Sequence, residues 1–200
     1  MSDTTASPPV PRRALVVVDV QPTFCEGGEL AVDGGDQVAR DVAAYVAAHR
    51  GRYALVVTTQ DWHVDPGDHF SDTPDFVDSW PPHGIAGTPN AELHPALADL
   101  HPDVSVKKGQ YAHGYSGFEG TDDDGRTLEQ ALRDARIEAA DVVGLVESHC
   151  VKRTALDAAG LGLATRVLTD LTIPVSPEQG EQARRELTAA GVELGLSTAG

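Results

Sequence analysis

Lysine is scarce in this chain, and so are cysteine, methionine and aromatic side chains. The three lysines stand at 107, 108 and 152. Positive charge is short overall, with 15 Lys and Arg against 31 Asp and Glu and a net charge of -16. That balance argues against nucleic acid or an anionic membrane surface as a partner, because both present negative charge. The two cysteines, Cys25 and Cys150, lie far apart and read as free cytosolic thiols rather than a disulfide framework. No apolar run approaches the ~18 residues of a membrane span. The Pro-rich segment Met1–Pro11 lacks the basic and apolar regions of a signal peptide. It is expected to be a disordered leader, with residues 12–200 forming one cytoplasmic domain.

What is present is an ordinary globular composition, 40% hydrophobic and 23% charged over 200 residues. Short β-branched runs alternate with helical patterns. Ala14–Asp19, Ala54–Thr59, Val104–Lys107, Ala140–Val146, Ala164–Thr169 and Gly191–Leu196 are predicted strands. Asp36–Arg50, Thr127–Arg136, Cys150–Leu161 and Pro177–Ala190 are predicted helices; Thr127 and Gln130 have capping-box spacing. Strands without polar alternation, separated by helices, imply a mostly parallel sheet covered on both faces. The predicted fold is an α/β three-layer doubly wound sandwich around six strands. The long segment Gln60–Pro102 carries Trp62, Phe70, Phe76 and Trp80, which favours an ordered functional loop over a linker.

Sites in open α/β sheets form beyond the carboxyl ends of the strands. Asp19 ends the first predicted strand, Asp61 and His63 follow the second, Lys108 the third and Cys150 the fourth. Cys150 is either an inert buried thiol or a nucleophile whose thiolate a helix N-terminus favours. Asp19 is either a cap or the general base that takes the thiol proton. Lys108 is either a solvated lysine or the cation that holds both charges in place. Lys107 is expected on the opposite face. Asp61, His63, His69 and His83 have the residue types and spacing to hold one divalent ion, Zn, Fe or Mn. His49, His94, His101 and His113 read as surface residues, and Cys25 as an unreactive thiol.

The segments VVVDVQPTFCEGGELAV, TTQDWHVDPGDHFSDTP, SWPPHGIAGTP, VKKGQYAHGYSGFEG and ESHCVKRTALDA together resemble the nicotinamidase/pyrazinamidase family of isochorismatase-like cysteine hydrolases. The likeness runs over roughly residues 13 to 196, with the motifs in the same order. It implies the isochorismatase-like hydrolase fold and a metal-dependent amidase that releases ammonia from nicotinamide through a thioester. Pyrazinamide would be a further substrate. The resemblance places the catalytic triad on Asp19, Lys108 and Cys150, and the metal ligands on Asp61, His63, His69 and His83. It places an aromatic substrate pocket on Phe24, Trp80 and Tyr115, with His149 beside the nucleophile. It assigns the oxyanion hole to the backbone N–H groups of Val146 and Cys150, with a cis peptide at Leu145-Val146. The implied partner is a small aromatic amide, and the chain would be a monomer or small homo-oligomer. Two places depart from the family pattern: Pro22-Thr23 stands where Asn-Asp is common, and Glu147-Ser148 where Thr-Asp is usual. Other readings are an N-carbamoyl or ureido amide hydrolase of the same superfamily, and a catalytically silent binding protein.

Overall fold

Apolar runs that stay buried along their whole length need cover on both faces, and the helices of this chain supply it. The computed structural model describes residues 11–198. All but the last residue of the expected leader lie outside them. The strands are β1 (Arg13–Val18), β2 (Leu55–Asp61), β3 (Val104–Lys108), β4 (Ala139–Leu145), β5 (Ala164–Ile173) and β6 (Glu193–Gly195). They form one sheet in the order β3-β2-β1-β4-β5-β6. Every pairing is parallel, so the sheet expected as mostly parallel is wholly so. The α-helices are α1 (Gly35–His49), α2 (Leu128–Asp134), α3 (Lys152–Gly160) and α4 (Pro177–Ala189). Thr127 and Gln130 close the expected capping box on α2. Among the described residues, no helix is long and apolar enough to cross a membrane.

The two faces are read directly from β1. Leu15 and Val17 pack with Val38, Val42 and Val46 of α1. Val16 and Val18 face the other way, toward Ala155 of α3 and Leu187 of α4. The α2 residues Leu128 and Leu132 cover Val57 and Val106 on that second face. Each fully buried valine contributes roughly 1.5–3 kcal/mol of transfer free energy. The chain runs outward through β1, β2 and β3, then returns to β4 and continues through β5 and β6 on the other side. Crossovers of one hand, taken in opposite directions, place their helices on opposite faces. That accounts for α1 standing alone on its face. The reversal falls between β1 and β4, so a crevice opens beyond their carboxyl ends. Gly144, at φ 110°, permits the close approach there, since a Cβ would lie 2.1 Å from the Val18 carbonyl oxygen.

A buried charge network sits at the opposite end of the sheet. Asp141 on β4 is 1% exposed. It accepts hydrogen bonds from Arg13 at 2.6 Å, Tyr53 at 2.8 Å and, through both oxygens, Arg166. Removing one partner from such a set leaves uncompensated charge. Asp141→Ala is expected to cost about 3 kcal/mol in chemical denaturation, and a loss below about 1 kcal/mol would show the network to be peripheral.

Candidate active site

Polar side chains at the carboxyl ends of β1 to β4 converge on the crevice. Asp19 directly follows β1 and has φ 46°, in the left-handed region that few non-glycine residues adopt. Its carboxylate is fully buried, and Thr59 of β2 donates to Oδ1 at 2.6 Å. Lys108 ends β3 directly opposite Asp61, which ends β2. Lys108 is 1% exposed, and its ammonium bonds to Asp61, to the Gly114 carbonyl and, at 3.6 Å, to Cys150 Sγ. With those three donors engaged, Asp19 Oδ2 at 2.9 Å is held by charge without an aligned hydrogen bond. Asp19, Asp61 and Cys150 bring ligand atoms within 4.8 Å of one another, which places the thiol in the neighbourhood of this carboxylate. Lys107 leaves on the opposite side, as expected, and lies over the Trp62 ring.

Electrostatics follow from this burial. Burial alone would lower the Lys108 pKa, but Asp19, Asp61 and Cys150 outweigh it and hold the ammonium charged. Burial raises the Asp19 carboxyl, with Lys108 opposing and Asp61 adding to the rise. Burial also pushes the Cys150 thiol well above its ordinary value, and Lys108 offsets this only in part. Desolvation therefore works against the thiolate expected from a helix N-terminus. Cys150 sits in a five-residue π-type turn, Glu147–Val151, ahead of α3. Burial, with Asp36 next, raises Cys25 to about 12, consistent with an unreactive thiol.

The histidines form a second cluster beside this one. His63 follows β2, His69 lies on the single helical turn Gly67–His69, and His83 sits further along the long connection. Each turns Nδ1 to a backbone carbonyl: His63 to Gly109 at 2.6 Å, His69 to Asp78 at 3.2 Å and His83 to Pro81 at 2.8 Å. A ring nitrogen facing a carbonyl carries the hydrogen, so each Nε2 keeps a free lone pair. Ligating atoms of all three rings lie within 4.8 Å of one another. Asp61 Oδ2 is 3.8 Å from the Nε2 atoms of His63 and His83. His63 Nε2 is buried with no hydrogen-bond partner. An orphaned buried lone pair among two more imidazoles and a carboxylate fits a cation. Burial first, then His63 and His83, lowers His69 to about 4, and burial lowers His83. Burial would raise Asp61, but Lys108, His63 and His83 hold it well below the usual carboxylate range. Neutral imidazoles and an ionised carboxylate are the forms a metal binds. Gly109, at φ 70°, is needed here because a Cβ would lie 2.5 Å from the His63 ring.

One cavity of about 150 Å³ touches both clusters. A cavity of this volume has room for a single six-membered ring. Cys150, Asp61, His69 and His83 line it, and so do all four expected pocket residues, Phe24, Trp80, Tyr115 and His149. Trp80 Nε1 donates to Tyr115 Oη at 2.8 Å, and Tyr115 Oη donates to the Val77 carbonyl at 3.0 Å. Val146 also lines the cavity, and the expected cis peptide at Leu145-Val146 is present. Thr59, Gly114 and Val175 belong to the site but were not singled out from the sequence. Thr59 did carry a readable sign, a polar residue closing an apolar strand. Gln21 was missed as well: it is fully buried and exchanges hydrogen bonds with the Asp61 backbone. His101 and His113 are exposed as expected, whereas His94 is half-buried and paired with Asp36.

Comparison with known proteins identifies the family. The isochorismatase domain profile matches residues 13–198. A nicotinamidase/pyrazinamidase of Mycobacterium tuberculosis is 50% identical over 186 residues, covering 93% of this chain and 100% of its own. Pyrazinamidase of Pyrococcus horikoshii, solved in complex with zinc, superposes with a TM-score of 0.79 at 35% identity, covering 93% of this chain and 99% of its own. An L. infantum protein solved in complex with nicotinate superposes with a TM-score of 0.80 at 30% identity, covering 94% and 93%. By sequence and by fold, the chain belongs to the isochorismatase domain family.

Proposed function

We propose that this protein is a cysteine amidase that hydrolyses nicotinamide, and pyrazinamide, to the free acid and ammonia, in cytoplasmic salvage of pyridine nucleotides. The observation that carries this reading is one ring-sized cavity lined by both the Cys150 thiol and the histidine cluster. In this reading the aromatic ring lies against Phe24 and Trp80, with Tyr115 and His149 completing the wall. Cys150 Sγ attacks the carboxamide carbon as Asp19 takes the thiol proton. The backbone N–H groups of Val146 and Cys150 hold the oxyanion, and one such donor is worth about 3 kcal/mol in comparable sites. Asp19 returns the proton to departing ammonia, then draws one from the water that attacks the thioester and passes it to Sγ as the C–S bond breaks. Lys108 keeps the charges of Asp19 and the sulfur in register. Steady-state ammonia release from nicotinamide, with an N-carbamoyl amide as comparator, tests the reading. Release from nicotinamide is expected, whereas release from the comparator alone would assign a different amide.

Asp61, His63, His69 and His83 would hold one divalent ion, Zn, Fe or Mn. When bound, such an ion supplies a Lewis-acid anchor that orients a nitrogen heterocycle. His63→Ala is expected to lower bound metal at least about tenfold and to raise KM. Elemental analysis of the purified variant checks this, and unchanged metal content would remove His63 from the ligand set.

A further inference from the structure

Glu147 opens the turn that carries Cys150, and its carboxylate is fully buried. A buried carboxylate persists only where charge and hydrogen bonds offset its desolvation. Both of its oxygens are taken by one residue: Arg184 Nε lies 2.6 Å from Oε1 and Nη2 2.9 Å from Oε2. This two-pronged contact fixes orientation as well as distance. Arg184 stands on α4, so the clamp joins that helix to the nucleophile's turn. The Glu147 carbonyl accepts the Lys152 N–H, so the clamped residue is also part of the turn's own hydrogen bonding. Next to it, the Val175 N–H donates to Ser148 Oγ at 3.3 Å. Glu147 and Ser148 are the pair that reads from the sequence as a departure from the family pattern, and neither lines the ring cavity. A second tie joins the same elements, from Lys152 Nζ to Glu186 Oε2 at 2.8 Å. It is partly exposed and contributes little. It therefore serves as an internal control for the docking of α4.

We propose that Arg184 is a positioning residue for the nucleophile: through Glu147 it holds the turn that sets the Cys150 thiol and backbone N–H against Asp19 and the bound amide. The substrate in this statement rests on the amidase reading above; the geometry of the thiol does not. Four variants test it. Arg184→Met leaves Glu147 buried and unpaired. Glu147→Met/Arg184→Met removes both charges together, and Arg184→Lys keeps the charge but loses the fork. Glu186→Gln breaks only the surface tie. Each folded protein is assayed for kcat and KM with nicotinamide, and for Cys150 alkylation by iodoacetamide, resolved from Cys25 by peptide mass mapping. A misplacement of about 1 Å costs on the order of 100-fold in rate. Arg184→Met and the double variant are therefore expected to lose roughly 10–100-fold in kcat with KM within about threefold, and about tenfold in alkylation rate. Arg184→Lys is expected to fall between, and Glu186→Gln to match wild type. A folded double variant within about twofold of wild type in both readouts would overturn the proposal. So would a Glu186→Gln loss as large as that of Arg184→Met. If wild type releases no ammonia from nicotinamide, the amidase reading fails, and the alkylation rates alone decide the role of Arg184.

Discussion

Replacing Cys150 by alanine is expected to lower kcat for ammonia release by roughly 10⁴-fold or more while leaving the protein folded. The size of the effect follows from its place in the site. Sγ lines the cavity, lies 3.6 Å from Lys108 Nζ, and shares a neighbourhood with the Asp19 carboxylate. No other thiol can substitute. Cys25 is buried in the core beside α1, where burial and Asp36 keep it protonated. Fold loss is not expected, because Cys150 packs as a small apolar group among Val16, Val18 and Ala155. Steady-state ammonia release with circular dichroism on the same sample is the check. A folded variant that retains a tenth of wild-type kcat would remove Cys150 from the nucleophile's role.

Replacing Lys108 by methionine is expected to cost both activity and stability. Its ammonium stands between two buried carboxylates, Asp19 and Asp61, and is itself buried. Without it, two like charges face each other in a buried crevice, a loss of about 3–5 kcal/mol. Asp19, which burial already raises, would then move further up and take a proton, because its protonation removes the repulsion. The sign of the pH effect follows. A group whose folded pKa is raised binds more protons folded than unfolded, so its destabilisation grows as pH rises and shrinks as pH falls. The stability deficit of Lys108→Met is therefore larger at alkaline than at acid pH. A protonated Asp19 cannot accept the thiol proton, so kcat is expected to fall about 10³-fold or more near neutral pH. Denaturant melts at two pH values and initial rates measure both effects. Wild-type stability with intact kcat would show that the buried pair is incidental.

The strands were readable because a strand buried on both faces keeps an unbroken apolar run, as Ala14–Val18 and Val142–Leu145 do. The same rule misplaced strand ends. β2 continues through Gln60 and Asp61, which are polar yet buried because they build the site. β5 continues to Ile173 past the exposed Asp170, which breaks its apolar run. Asp19, Asp61, Lys108 and Cys150 were legible as polar residues at strand ends, and His63, His69 and His83 by type and spacing. The partners that orient them were not. Gly109, Asp78, Pro81 and Gly114 act through backbone carbonyls, which every residue has, so no side chain marks them. The π-type turn under Cys150 was also hidden, because its register depends on Arg184 and Val175, distant in sequence. Glu147 read as a departure without a reason, and its reason is a guanidinium on α4.

An acyl-enzyme on Cys150 is the step on which the proposed reaction turns, and partitioning by hydroxylamine detects it. Purified protein is given nicotinamide or methyl nicotinate with hydroxylamine present, and nicotinohydroxamate and nicotinate are quantified. Both substrates pass through the same thioester if the account is right, so they are expected to give one hydroxamate-to-acid ratio at each hydroxylamine concentration, and neither product from Cys150→Ala. Ratios that differ between amide and ester, or nicotinate without hydroxamate, would contradict it.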